Sequence, residues 1–78
     1  MPISALVITL RHTAHDRDAV LAELAREPCI ELGEPQGQRV PAVSETPTLQ
    51  EGRRLVERLL ETAGVAHVDV LSVNFEDA

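Results

Sequence analysis

A small α+β domain of four strands and two helices is the fold class this sequence predicts, on three observations. Residues 3–10 are an apolar run of strand length. Thr48-Leu49-Gln50-Glu51 opens a long stretch with helical apolar spacing. Short apolar segments bounded by Pro and Gly lie between and after these two.

The first strand, Ile3 to Leu10, has apolar side chains on both faces, because successive strand residues point to opposite sides of a sheet. Leu6, Ile8 and Leu10 share one face, and Ile3, Ala5, Val7 and the methyl of Thr9 share the other. The polar run Arg11 to His15 follows, and Asp16 and Asp18 place negative charge where a first helical turn prefers it. Val20, Leu21, Leu24 and Ala25 recur at helical spacing, so a helix of about three turns runs to about Glu27, with Pro28 as its stop. Cys29 to Glu34 and Arg39 to Glu45 are strands joined by a turn at Glu34-Pro35-Gln36-Gly37, which makes them antiparallel neighbours.

In the second helix Leu49, Gly52, Leu55, Val56, Leu59, Leu60 and Ala63 form the apolar stripe. Arg53 and Glu57, four residues apart, can pair on the solvent side, and Gly64 ends the helix in a left-handed conformation. Val65 to Phe75 is the last strand, with Val68 and Val70 on one parity and Leu71, Val73 and Phe75 on the other. That change of parity implies a bulge or a second two-sided strand.

The order strand, helix, strand, strand, helix, strand is the ferredoxin-like βαββαβ arrangement. Right-handed crossovers put both helices on one face of a four-stranded antiparallel sheet and leave the opposite face bare. Pro41 falls in a central strand of that sheet, where its missing N–H removes a ladder bond. The 78 residues form a single domain, 1–78, and a chain of this size buries only about 60% of the surface its unfolded form exposes.

Composition excludes several functions. Thirteen acidic residues against seven arginines and no lysine give a formal charge of −6, which disfavours nucleic acid and favours a cationic partner. Phe75 is the only aromatic residue, so base stacking has little to work with. No run approaches the roughly 20 apolar residues of a spanning helix, and no leader pattern precedes the first strand. The expectation is a soluble, cytoplasmic protein without a membrane partner. The single cysteine, Cys29, reads as a structural thiol.

Catalysis and metal binding find no constellation. His12, His15 and His67 lack metal-ligand spacing, Ser4, Ser44 and Ser72 lack a nucleophile motif, and the four glycines are scattered singly. No enzyme, metal or cofactor is expected. What remains is surface. With Leu6, Ile8 and Leu10 assigned to the helices, Ala5, Val7 and Thr9 lie on the open face, joined by Val40, Ala42 and Ser44. Leu71, Val73 and Phe75 flank them, and Glu45 and Asp69 form an acidic rim. Small side chains there let a helix approach closely. A homodimer burying the same open face competes with a heterologous partner.

Three segments carry a family resemblance: Ile3-Ser4-Ala5-Leu6-Val7-Ile8, Leu24-Ala25-Arg26-Glu27-Pro28-Cys29-Ile30-Glu31 and Gly64-Val65-Ala66-His67-Val68. The chain resembles the NapD family, cytoplasmic chaperones for maturation of periplasmic nitrate reductase. The resemblance implies a ferredoxin-like protein that binds the twin-arginine signal peptide of the nitrate reductase catalytic subunit. It would hold that peptide as a helix against the sheet and delay export until cofactor insertion. No catalytic residue is implied. Two other classes share the element order. An ACT-like small-molecule regulatory module would bind an effector at a dimer interface. An acylphosphatase-like enzyme would need an anion loop after the first strand, and Arg11-His12-Thr13-Ala14-His15 has no glycine to build one.

Overall fold

The computed structural model describes residues 2–11 and 17–75, so His12, His15 and Asp16, named above, lie outside the described residues. Strand β1 (Pro2–Leu10), helix α1 (Arg17–Ala25), strands β2 (Ile30–Leu32) and β3 (Arg39–Glu45), helix α2 (Leu49–Glu61) and strand β4 (Val65–Phe75) follow in that order. The sheet is antiparallel with order β2-β3-β1-β4, which is the expected ferredoxin-like α+β topology.

The core forms where the even-numbered residues of β1 meet the two helices. Leu6, Ile8 and Leu10 pack with Val20 and Leu24 of α1, Leu55 and Leu59 of α2, and Val40, Ala42, Val65 and Val68 of the sheet. Helix α1 is shorter than its sequence suggests. After Ala25 the chain tightens into i→i−3 bonds, with Arg26 N–H donating to the Glu23 carbonyl and Glu27 N–H to that of Leu24. Thr48 caps α2 as expected, its hydroxyl accepting from Glu51 N–H at 3.2 Å. Helix α2 ends at Glu61 with Thr62 as its C-cap, earlier than expected, and Gly64, at φ +92°, lies in the connection to β4, where a Cβ on it would sit 2.5 Å from Val20 Cγ2. Glycine is needed there for two reasons, the backbone angle and the close approach.

The β2–β3 turn differs from the expected one. It spans Gln36 to Arg39, whose backbones exchange hydrogen bonds of 2.8 and 3.0 Å. Gly37, at φ +62°, is the first central residue, as a type II′ hairpin turn requires. Pro35 therefore precedes the turn rather than forming its second position. Strand β2 also ends early, at Leu32.

That early end explains Pro41. Even-numbered residues of β3 bond to β1, a pattern set at its ends by Leu10 N–H to the Gln38 carbonyl and Thr46 N–H to the Pro2 carbonyl. Odd-numbered residues face β2: Glu45 N–H donates to the Cys29 carbonyl, and the Pro41 carbonyl accepts from Gly33 N–H at 2.8 Å. The missing N–H thus lies on the β2 side, opposite Gly33, one residue past the end of that strand. Gly33 also makes room for the ring, since a Cβ there would lie 3.0 Å from Pro41 Cγ. The lost ladder bond falls where the ladder stops.

Candidate functional site

The uncovered face of the sheet is built by residue parity. Antiparallel partners project to the same side, so the odd-numbered residues of β1 carry their β3 partners with them. Ile3 pairs with Glu45, Ala5 with Val43, Val7 with Pro41 and Thr9 with Arg39. Ile3, Ala5, Val7 and Thr9 are half-buried, while Val43 and Pro41 are exposed. On the other flank, β4 sets Asn74 beside Ile3, Ser72 beside Ala5, Asp69 beside Val7 and His67 beside Thr9. Glu31 of β2 joins the face opposite Val43. The result is a narrow apolar strip between two polar borders.

The placement of Ala5, Val7, Thr9, Glu45 and Asp69 on this face agrees with the sequence reading. The placement of Val40, Ala42 and Ser44 does not. They pair with Ile8, Leu6 and Ser4 on the helix side and are 0, 4 and 4% exposed. Once the even residues of β1 enter the core, cross-strand pairing takes the even residues of β3 with them. A signal was available: Glu45 and Arg39, the charged ends of β3, share parity with Pro41 and Val43 and not with Val40, Ala42 and Ser44. Val43, Pro41, Glu31 and His67 were the open-face residues missed, while Ile3 lies on the face already assigned to it.

The β4 assignments also change. A register shift between Ala5 and Leu6 puts Ser72 opposite the one and Val70 opposite the other, leaving Leu71 as the extra residue of a bulge. A second shift between Thr9 and Leu10 leaves Ala66 unpaired. The bulge carries Val73 to the register position of Ser4, on the same side as Val70 and beneath α2. In the backbone register Phe75 pairs with Pro2. Val73 therefore does not flank the open strip as expected, and Leu71 sits in the bulge without a register partner.

The borders are acidic at one end. Glu31, Val43 and Glu45, with Pro28, Cys29 and Ile30, line a depression of about 470 Å³ at the β2 edge. Two carboxylates there stand either side of an exposed valine, and among the described residues neither closes an ion pair. On the β4 border a His67 ring nitrogen lies 2.9 Å from Asp69 Oδ1. Among the paired residues of the described strands, Arg39 is the one arginine on the face. Elsewhere Glu27 grips Arg58 through two hydrogen bonds of 3.1 and 3.2 Å, and this carboxylate holds the guanidinium above its ordinary pKa. That pair ties α2 to the end of α1, away from the open strip.

Chemically, the face can hold an apolar helix along Ala5, Val7 and Val43 and a cationic group between Glu31 and Glu45. Among the described residues no group of three or more His, Cys, Asp or Glu could hold a metal ion. Among them, too, no helix is long and apolar enough to cross a membrane. No family model, curated protein or solved structure matches the chain.

Proposed function

We propose that this protein is a non-enzymatic, cytoplasmic chaperone that binds the twin-arginine signal peptide of a periplasmic nitrate reductase catalytic subunit, delaying its export until cofactor insertion. The observation that carries the reading is the open face, with small side chains at Ala5, Val7 and Thr9 next to a depression bordered by Glu31 and Glu45. A twin-arginine signal peptide combines two guanidinium groups with an apolar helix. Carboxylates recognise the first through charge-assisted hydrogen bonds, and a shallow apolar strip accepts the second. Charge steers and sets register, while burial supplies affinity. The resemblance of the three segments to the NapD family supports the same reading.

Calorimetric titration with a synthetic twin-arginine signal peptide of such a subunit is the test, run against the same peptide with both arginines replaced by alanine. Saturable binding to the first and at least about tenfold weaker binding to the second is expected, as for the loss of paired charges at an interface. Val7→Asp, on the open strip, abolishes binding while leaving the circular dichroism of the helices unchanged. Absence of binding to either peptide sinks the reading.

A further inference from the structure

A second apolar surface lies around the edge of the sheet, between α2 and β4. Among the described residues, five of the six large hydrophobic residues that stand most exposed are carried by these two elements: Leu49 and Leu60 by α2 and Val70, Leu71 and Val73 by β4, each between 42 and 65% exposed. The sixth, Val43, lies on the open face opposite Ala5. Beneath α2 runs a groove of about 460 Å³ floored by Ser4 and Leu6 of β1 and Ser44 of β3, whose walls include Leu49, Arg53 and Glu57 on the helix and, toward the sheet edge, Val70 and Val73 on β4. The stripe on α2 that was expected to be core is thus only half covered: Leu55 and Leu59 are buried, and Leu49 and Leu60 are not.

The strand beneath is an edge, interrupted by the bulge at Leu71 and the irregularity at Ala66 but otherwise open among the described residues. β4 is terminal in the sheet, so among the described residues its outer row of backbone groups pairs with no other strand. It is eleven residues long and contains no Lys, Arg or Pro, the residues that usually blunt an edge. The other edge, β2, is protected by its length of three residues. An exposed edge with an apolar flank takes another strand.

The pattern on α2 identifies which. Leu49, Arg53, Glu57 and Leu60 lie along one flank of the helix, and they read as self-complementary about a centre at residues 54–55. An antiparallel copy of the same helix sets Leu49 against the partner's Leu60 and Arg53 against the partner's Glu57, twice over. Within the chain, and among the described residues, neither Arg53 nor Glu57 closes an ion pair, although they stand one helical turn apart. We propose that the α2–β4 flank is the interface of a two-fold dimer in which β4 pairs antiparallel with β4 of a second copy. The sheet then continues through eight strands, with all four helices on one face. Strand neighbours lie about 4.8 Å apart, which brings the two α2 helices to about the 8–10 Å at which helices pack. Such an isologous contact closes on itself and leaves two open faces side by side for other partners. The proposal does not depend on the peptide reading.

Charge reversal tests it. Sedimentation equilibrium of the wild type shows a monomer–dimer equilibrium. Arg53→Glu places like charges against the partner's Glu57 at two symmetry-related contacts, and Glu57→Arg does the same with the opposite sign. Each weakens dimerisation about tenfold or more. An equimolar mixture of the two variants restores it, since every contact in the mixed dimer then pairs opposite charges. Leu60→Glu, at an exposed position, abolishes the dimer with the fold intact by circular dichroism, and Val7→Asp leaves it unchanged. A wild type that stays monomeric at millimolar concentration overturns the proposal. So does a dimer that tolerates Leu60→Glu and the two reversals but is lost on Val7→Asp, which would put the interface on the open face.

Discussion

The open face and the α2–β4 flank are both apolar surfaces left over by a chain with two helices for four strands, yet they are built from opposite materials. On the open face the apolar residues along β1 are half-buried, and Ala5, Val7 and Thr9 are small; charged side chains stand along the borders. On the flank they are leucines and valines near half exposure, with an arginine and a glutamate among them and an unpaired strand edge below. A shallow strip with acid at its margin suits a shape that is laid onto it, such as a helix bearing cationic groups. A corrugated edge suits an identical edge. The difference teaches that exposure alone does not define a binding surface; what the backbone beneath it still has to satisfy decides the kind of partner.

Adjacent leucines of α2 break the comparison most sharply. Leu59, fully buried, reaches the core shared by both surfaces, and Leu59→Ala should cost about 2–5 kcal/mol in urea-monitored unfolding. Leu60, its exposed neighbour, should cost the monomer within about 0.5 kcal/mol when made alanine, measured in dilute solution. Next in size is Gly64→Ala. At φ +92° and 2.5 Å from Val20 Cγ2, the added methyl should destabilise by about 1–3 kcal/mol and lower the thermal midpoint, affecting both surfaces equally through the α2–β4 connection.

Thr48→Ala removes the bond to Glu51 N–H and should cost about 1 kcal/mol, loosening the end of α2 that carries Leu49. The flank should respond and the open strip should not, a difference that hydrogen exchange of the α2 amides against those of β1 would register. Smallest is the acid border. Glu31→Gln and Glu45→Gln should each weaken twin-arginine peptide binding several-fold, the loss shrinking as salt is raised, with stability unchanged in the same unfolding assay.

Much of this was legible in the sequence, and the failures share a cause. Element order, the Thr48 cap, the left-handed backbone of Gly64 and the bulged last strand follow from local chemistry: a hydroxyl three residues before a glutamate, a glycine after an apolar stripe, a break in alternation. The exact end of α2, at Thr62 and not Gly64, does not. The two-sided character of β1 was legible too, and so was its parity. The faces of β3 and β4 were not assigned correctly because they are properties of pairing. Val40 enters the core because Ile8 does, and Val73 changes sides because Leu71 is inserted before it. The half-covered stripe of α2 escaped for a related reason. Periodicity names the apolar side of a helix, but the width of the sheet beneath decides how much of it is buried.

The division of labour between the two surfaces can be measured in one titration. Uniformly ¹⁵N-labelled protein is followed by heteronuclear NMR as a twin-arginine signal peptide is added. The account predicts saturating shift changes at Ala5, Val7, Val43, Glu31 and Glu45, with Leu49 and Leu60 of α2 unmoved. Changes confined to α2 and the outer edge of β4, or no changes at all, would contradict it.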